Sequence, residues 1–369
     1  MFDWLFAAAL ALAPPVQTAA PTMAPVTVSA EVVPPSPEEV LAIPAELRAM
    51  LQRQVIEPSG RSRKRRLDLL LDFMFDETGL GMQYRQDATH TVAESFQTRE
   101  ANCLAFTLLT VALAREAGLS ASGQELERVL SWDLNGDIVV QNTHANASIA
   151  AGGERYVIDV AADELLTHTP PQRIGDARLL ALYYNNRAME LLMLGRTAAA
   201  GVWLRAAMQQ DHDYATLWNN AGVMRLRAGE MAAAEENLLQ ALRLNPTHTG
   251  ALFNLIGLYQ RTGDEAHAAQ WRRRAERILL KDPFHQFALG MRSEQHGDFA
   301  DALKHYRRAV ALDGDEHLFH FGLARAWLHL GNTRRAGIEL ARAHDLSSDG
   351  NRDLYQVKLD TLRRMMQQQ

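Results

Sequence analysis

Glycine returns at a fixed interval of 34 residues through the C-terminal half of the chain. The glycines in this register are Gly195, Gly229, Gly263, Gly297 and Gly331. Two series of alanines keep the same interval, and their members are Ala200, Ala234, Ala268, Ala302 and Ala336, and Ala207, Ala241, Ala275, Ala309 and Ala343. A period of this length is typical of stacked helical units, in which each unit buries its apolar face against its neighbours.

The repeated residues predict a pair of helices in each unit. A glycine that ends the first helix supplies the left-handed backbone conformation that a side chain disfavours. The two alanines lie seven residues apart on one face of the second helix, where small side chains let neighbouring helices approach closely. The sequence therefore predicts an all-α solenoid over 177–350, with 351–369 as a polar-faced closing helix and tail.

The array resembles the tetratricopeptide repeat. The residues that carry the resemblance in its best unit are Trp218, Ala221, Gly222, Gly229, Ala234, Leu238, Ala241 and Pro246. The other units depart from the pattern at the final proline, which is replaced by His212, Leu280, Gly314 and Ser348. The resemblance covers roughly 181–350 and implies five repeats whose groove holds a protein or peptide partner.

The first 38 residues predict an export segment and a tether. Residues 4–13 form an unbroken apolar run, which is too short to span a bilayer and suits the core of a secretory signal within 1–20. Residues 21–38 are rich in Pro, Ala, Thr, Val and Ser, as in flexible linkers. We expect an exported protein of the periplasm or cell envelope. The alternatives are a cytoplasmic location, and an uncleaved signal that stays as the only membrane anchor.

Composition and motifs narrow the function classes. The net charge is −6, which argues against a nucleic-acid-binding protein. The one basic run, residues 61–66, is interpreted as a solvated helix start. The sequence has no phosphate-binding glycine loop and no clustered metal ligands, so neither a cofactor nor a metal is expected.

Residues 39–170 carry a different pattern, and the only cysteine lies here. Helices are predicted over 41–54 and 67–76, and a third apolar helix follows Asn102 and closes at Gly118. Cys103 lies in the first turn of that third helix. The partial positive charge of a helix N-terminus favours a thiolate there, so Cys103 is a candidate nucleophile.

Two strands follow, over 137–149 and 155–160, and a hairpin about Gly152 and Gly153 joins them. This hairpin places Asp159 opposite about Asn146, one diagonal step from His144. Side chains at that step are within reach of each other, so His144 and Asp159 are predicted to pair. A thiol, a base and an acceptor that orients the base are the parts of a cysteine hydrolase.

This part of the chain resembles the transglutaminase-like superfamily, a papain-related α+β fold, over about 85–165. The resemblance implies a Cys103–His144–Asp159 triad, with Asp163 as a competitor for Asp159. Members commonly have glycine two residues before the cysteine, where this chain has Ala101. Gln97 stands six residues before Cys103, like the oxyanion glutamine of papain relatives, and the backbone N–H of Cys103 is the alternative oxyanion donor.

These features lead to three functional hypotheses. The first is an exported cysteine peptidase or amidase, with acyl transfer when an amine replaces water, and with a repeat array that binds a protein or peptide. The second is a catalytically inactive transglutaminase-like fold that acts with the repeats as an interaction scaffold. The third is an assembly factor for the cell envelope.

Overall fold

The structure is a computed structural model that describes residues 33–126, 132–135, 138–141, 144–160, 172–347, 352 and 355–360. The predicted signal segment, most of the predicted tether and Asp163 lie outside these residues. The chain divides into two compact units, and the boundary in the repeat array falls between Ala268 and Ala269. Within the described residues, no helix has the length and apolar character needed to span a membrane.

Short helices open the first unit. Helix α1 (Pro37–Val40) begins inside the predicted tether, where Ser36 caps it and shares a capping box with Glu39. Helix α2 (Ala45–Leu51) continues through a π-helical turn (Gln52–Ile56) into α3 (Glu57–Ser59), and α4 spans Arg63–Phe75. The predicted helix over 41–54 therefore begins later than expected. Pro44 is the N-cap of α2, and a proline disfavours helical conformation in the residue before it.

The cysteine-bearing helix packs on an antiparallel sheet. Strand β1 (Gln83–Tyr84), α5 (Val92–Thr98) and β2 (Glu100–Ala101) precede α6 (Cys103–Glu116). The described strands that follow are β3 (Ser120–Leu126), β4 (Trp132–Asn135), β5 (Ile138–Gln141), β6 (His144–Ala151), β7 (Glu154–Ile158) and β8 (Gln172–Arg173). The main sheet has the order β7–β6–β3–β8, and β6 is a central strand in contact with α6.

The predicted hairpin is confirmed by the register of β6 and β7, but the strand predicted over 137–149 is divided between β5 and β6, which lie in different sheets. Ala151 pairs with Glu154, and Ala147 pairs with Ile158, so the turn lies at Gly152 and Gly153. Both glycines have positive φ, of 62° and 90°, which explains why the turn uses two residues without Cβ. The next step of the same register places Asp159 beside Asn146, as the sequence predicts.

Ten helices form the repeat pairs. They are α7 (Asp176–Met193), α8 (Thr197–Gln210), α9 (Ala215–Arg227), α10 (Met231–Leu244), α11 (Thr249–Arg261), α12 (Glu265–Leu279), α13 (Pro283–Gln295), α14 (Phe299–Leu312), α15 (His317–His329) and α16 (Thr333–Leu346). All five periodic glycines have φ between 75° and 78° and follow the first helix of each pair. All ten periodic alanines are buried, at 3% exposure or less. The predicted roles of both residue types are confirmed.

The first unit has one apolar core shared by the first domain and the first repeats. Its members include Leu108 of α6 and Ile149 of β6 together with Tyr183 of α7 and Trp203 of α8. Polar contacts join the same parts, and Thr89 donates to Glu190 over 2.6 Å. This domain is therefore packed continuously onto the start of the repeat array.

A buried carboxylate strengthens that junction. Glu125 of β3 is 4% exposed, accepts a hydrogen bond from the Tyr214 hydroxyl and pairs with Arg178. The Arg178 guanidinium also lies 3.8 Å from the Tyr214 ring centroid and pairs with Asp211. Arg178 and Tyr214 thus balance the cost of burying the Glu125 charge.

The second unit holds the later repeats. Tyr306 of α14 is buried between α13 and α15, where Gly290 and Gly322 leave room for its ring. Residues 355–360 are helical, and Tyr355 and Leu359 pack against Leu340 of α16. This packing covers the apolar side of the final repeat, which is the role that the sequence assigns to a closing helix.

Candidate functional site

Asn102 fixes the start of the helix that carries Cys103. Its side-chain oxygen accepts from the Ala105 N–H over 2.9 Å, which makes Asn102 the N-cap of α6. Its Nδ2 donates to Thr89 over 2.7 Å, and its backbone N–H donates to the Ala88 carbonyl over 3.0 Å. Cys103 is thereby held at the first helical position and is partly exposed. Its own N–H has no partner within the helix because of that position.

His144 and Asp159 are joined at the adjacent end of the sheet. His144 is the first residue of β6, and its Nε2–H donates to Asp159 Oδ2 over 2.7 Å. Cys103 is close enough to raise the pKa of the ring, and Nδ1 is the nitrogen that the contact with Asp159 leaves available to it. Thr107 ties the two elements together, since its hydroxyl lies 2.8 Å from the Cys103 carbonyl and 3.1 Å from the Ala145 carbonyl.

The pKa of His144 reports this environment. Burial alone would lower the pKa, because a charged imidazolium loses hydration. Hydrogen bonds and charge attraction from Asp159 and Cys103 outweigh burial and raise the pKa of His144 to about 9. The imidazole is therefore protonated at neutral pH and places a positive charge near Cys103.

Asn146 is a site residue that the sequence reasoning did not assign. Its Nδ2 donates to Asp159 Oδ2 over 3.0 Å, so two donors converge on the carboxylate oxygen that faces His144. Its Oδ1 is buried and has no hydrogen-bond partner among the described residues, as is also true of Gln124 Oε1, directly opposite on β3. The period of two along β6 puts His144 and Asn146 on the same face of the sheet. That alternation is the sequence pattern from which Asn146 could have been predicted.

The remaining predicted site residues have different surroundings. Gln97 lies exposed on α5, and in the described chain its amide makes no hydrogen bond with Cys103 or His144. Ala101 is fully buried in β2. Arg99 is the described non-glycine residue with positive φ, so Ala101 adopts a backbone conformation that needs no glycine.

Asparagines connect the first helices of the first three repeats. Asn254 donates to Asn219 over 2.9 Å, Asn219 donates to Asn220 over 3.0 Å, and Asn220 donates to Asn185 over 2.8 Å. Three of the four are buried, at 2–6% exposure. These amides satisfy one another across α7, α9 and α11, so their observed role is to hold neighbouring repeats in register.

Comparisons with known proteins match the repeats. One tetratricopeptide repeat family model matches residues 215–248 and another matches residues 287–351. The human protein O-mannosyl-transferase TMTC3 is 28% identical over 145 residues, which are 38% of this chain and 16% of that protein. This chain thus spans less than a fifth of the length of that relative.

Two solved structures illustrate the likeness. YrrB, described as a TPR protein with an unusual peptide-binding site, is 21% identical, covers 48% of this chain and 92% of its own, and has a TM-score of 0.25. PilF of Pseudomonas aeruginosa is 18% identical, with coverage of 52% and 87% and a TM-score of 0.29. Together with the 34-residue period, the family models show that this chain contains tetratricopeptide repeats, an array that typically binds protein partners.

Proposed function

We propose that the first domain is a cysteine hydrolase of the transglutaminase-like superfamily and that the repeats present a protein or peptide partner to it. The observation that supports this most is the position of His144, which is hydrogen-bonded to Asp159 and interacts with Cys103 at the start of α6. A nucleophile, a base and a group that orients the base are the recurring parts of such enzymes.

The first half of the reaction forms a thioester. The Cys103 sulfur attacks the carbonyl carbon of an amide, and a carbon–sulfur bond forms as the carbonyl oxygen becomes an oxyanion. The backbone N–H of Cys103 is available to that oxyanion. His144 then gives its Nδ1 proton to the leaving nitrogen, and the carbon–nitrogen bond breaks to release an amine.

The second half returns the enzyme to its starting state. His144, now neutral at Nδ1, takes a proton from water as the water oxygen attacks the thioester carbon. The carbon–sulfur bond breaks, the acid is released and the thiolate and imidazolium are restored. An amine in place of water gives acyl transfer by the same steps. Asp159 keeps Nε2 as the donor nitrogen throughout and stabilises the charged ring.

The test is the rate of Cys103 alkylation by iodoacetamide against pH, in the wild type and in His144→Ala. We expect rapid labelling at pH 6 that the substitution slows, because the thiolate depends on the protonated imidazole. A wild-type profile that follows an ordinary thiol of pKa about 8.5, unchanged in His144→Ala, would refute the proposal. Gln97→Ala is the matched control, since its exposed amide makes no hydrogen bond with Cys103 or His144 in the described chain, and it should leave the profile unchanged.

A scaffold is the second candidate, and the comparisons with known proteins favour it. The family models match only repeat residues, and the transglutaminase-like assignment of the first domain has no counterpart among them. In this alternative the first domain stabilises the array through their shared core. Cys103→Ala separates the two candidates in cells, because a scaffold keeps its function without the thiol.

Export to the periplasm or cell envelope is also a proposal, and it rests on the apolar run in residues 4–13. Fractionation of cells expressing the full chain, with the N-terminus of the mature protein determined by mass spectrometry, tests it. Recovery of the uncut chain in the cytoplasm would refute it.

A further inference from the structure

Four cationic side chains at the start of α4 make no polar contact with the rest of the described chain. Arg61, Arg63, Lys64 and Arg65 are exposed, and none makes a side-chain hydrogen bond or ion pair in the described chain. The next residue in the run shows the contrast. Arg66 donates to the Ser59 hydroxyl and to the Gly60 and Ala117 carbonyls, at 2.6–2.9 Å, so the fold uses this guanidinium.

The β6–β7 turn lies against the same helix start. A Cβ placed on Gly152 would be 3.7 Å from Lys64 Cβ. A cavity of about 250 Å³ opens there, and its lining includes Arg63, Gly153 and Arg155. The turn therefore brings a fifth cation, Arg155, to the cations of the helix start, although the two segments are far apart in sequence.

We define this cationic surface as Arg61, Arg63, Lys64, Arg65 and Arg155. One carboxylate, Glu154, lines the cavity beside it and accepts a hydrogen bond from the Tyr156 hydroxyl over 2.6 Å. The whole chain carries a net charge of −6, so the rest of the molecule is more acidic than that total. Such a charge asymmetry turns the cationic surface toward an anionic surface and the remainder away from it.

We propose that the cationic surface docks the first domain onto a membrane that contains anionic phospholipids. Solvated cations spread over a helix start and a neighbouring turn suit a layer of phosphate headgroups, which they meet without giving up their hydration. In the sequence, an apolar run and then a predicted tether precede Pro35. The Pro35 carbonyl accepts a hydrogen bond from the Tyr184 hydroxyl, so the chain is held to the fold at that residue. Residues 14–34 lie between the apolar run and Pro35 and reach at most roughly 75 Å, so an anchored chain keeps this domain near the bilayer.

The test is cosedimentation of the full chain with vesicles. Vesicles of phosphatidylcholine alone report binding by the apolar segment, and vesicles with about one part in three phosphatidylglycerol add the anionic surface. We expect the anionic vesicles to bind more protein, and added salt to remove the difference. A quadruple variant, with Arg61→Gln, Arg63→Gln, Lys64→Gln and Arg65→Gln, should bind both kinds of vesicle equally. The reason is that each cation contributes on the order of fivefold to partitioning onto the anionic membrane.

The matched control removes four exposed cations elsewhere, by Arg243→Gln, Arg308→Gln, Arg334→Gln and Arg342→Gln. It has the same net charge as the quadruple variant of the cationic surface, and it should bind anionic vesicles as strongly as the wild type does. Equal loss in both variants would reduce the effect to net charge and overturn the proposal. Saturable binding of inorganic phosphate, with no gain from anionic vesicles, would assign the surface to a soluble anion and also overturn it. None of these outcomes depends on the reactivity of Cys103.

Discussion

Replacing Asp159 with asparagine is the sharpest test of how the site is charged. Asp159 accepts the Nε2–H of His144 over 2.7 Å, and both side chains are largely buried. Asparagine keeps the size and removes the negative charge. Burial then meets less opposition, and we expect the pKa of His144 to fall from about 9 toward its ordinary value of 6.5.

The size of the effect follows from that interval. The rise from 6.5 to about 9 is the combined result of Asp159 and Cys103 acting against burial. Each pKa unit is about 1.4 kcal/mol, or tenfold, so the net rise corresponds to roughly three-hundredfold in favour of the charged ring. Because Cys103 remains, we expect a fall of the His144 pKa by about one unit or more, and any change in Cys103 labelling that follows ring deprotonation should move to lower pH by the same amount.

NMR titration of the His144 ring measures the pKa directly, and alkylation of Cys103 measures its consequence. Asp163→Asn is the matched control, because Asp163 is the other carboxylate that the sequence offers as a partner for the ring. If Asp159 holds the ring, this change should leave both readouts at wild-type values. A wild-type His144 that titrates near 6.5, or a titration that Asp159→Asn does not move, would show that this carboxylate does not hold the ring charged.

Three further predictions concern stability. Gly229→Ala should destabilise the array by about 1 kcal/mol because φ is 76° there, whereas Gly257→Ala, in open space within α11, should stabilise it by up to about 1 kcal/mol; thermal melts compare the two. Burial lowers the pKa of His248 to about 4, so the unfolded chain binds the extra proton, and stability should fall as the pH drops from 6.5 to 4. His248→Asn should flatten urea-measured stability over that window. Tyr214→Phe should cost about 1–3 kcal/mol in urea denaturation, since buried Glu125 loses a donor, and an unchanged midpoint would contradict the observed junction.

The sequence predicts the parts of this fold that repeat or alternate. The role of Gly229 and its equivalents could be predicted because a left-handed helix end recurs at a fixed interval. The β6–β7 register could be predicted because Gly152 and Gly153 fix the turn. The alternation of side chains along each strand then assigns every facing pair. His144 and Asp159 could be paired from the sequence for that reason.

The polar contacts between elements that are far apart in the chain could not be predicted from the sequence. Asn102 bonds Thr89, Thr107 bonds the Ala145 carbonyl, and Glu125 bonds Tyr214, and each pair joins elements whose relative placement no local pattern encodes. Single polar residues of this kind are common in loops and helices, so only the assembled core shows which of them are used.

The shared core decides how the two proposed functions can be tested separately. Glu125, which holds Tyr214 of the repeat array, pairs in register with Ala145, the neighbour of His144. Removing the repeats would therefore expose the first domain's core to water and take Tyr214 and Arg178 away from Glu125, at a cost of several kcal/mol. Loss of activity after such a truncation would report unfolding as readily as loss of a partner. Cys103→Ala changes one partly exposed side chain and leaves that junction intact, so it is the change that distinguishes chemistry from scaffolding.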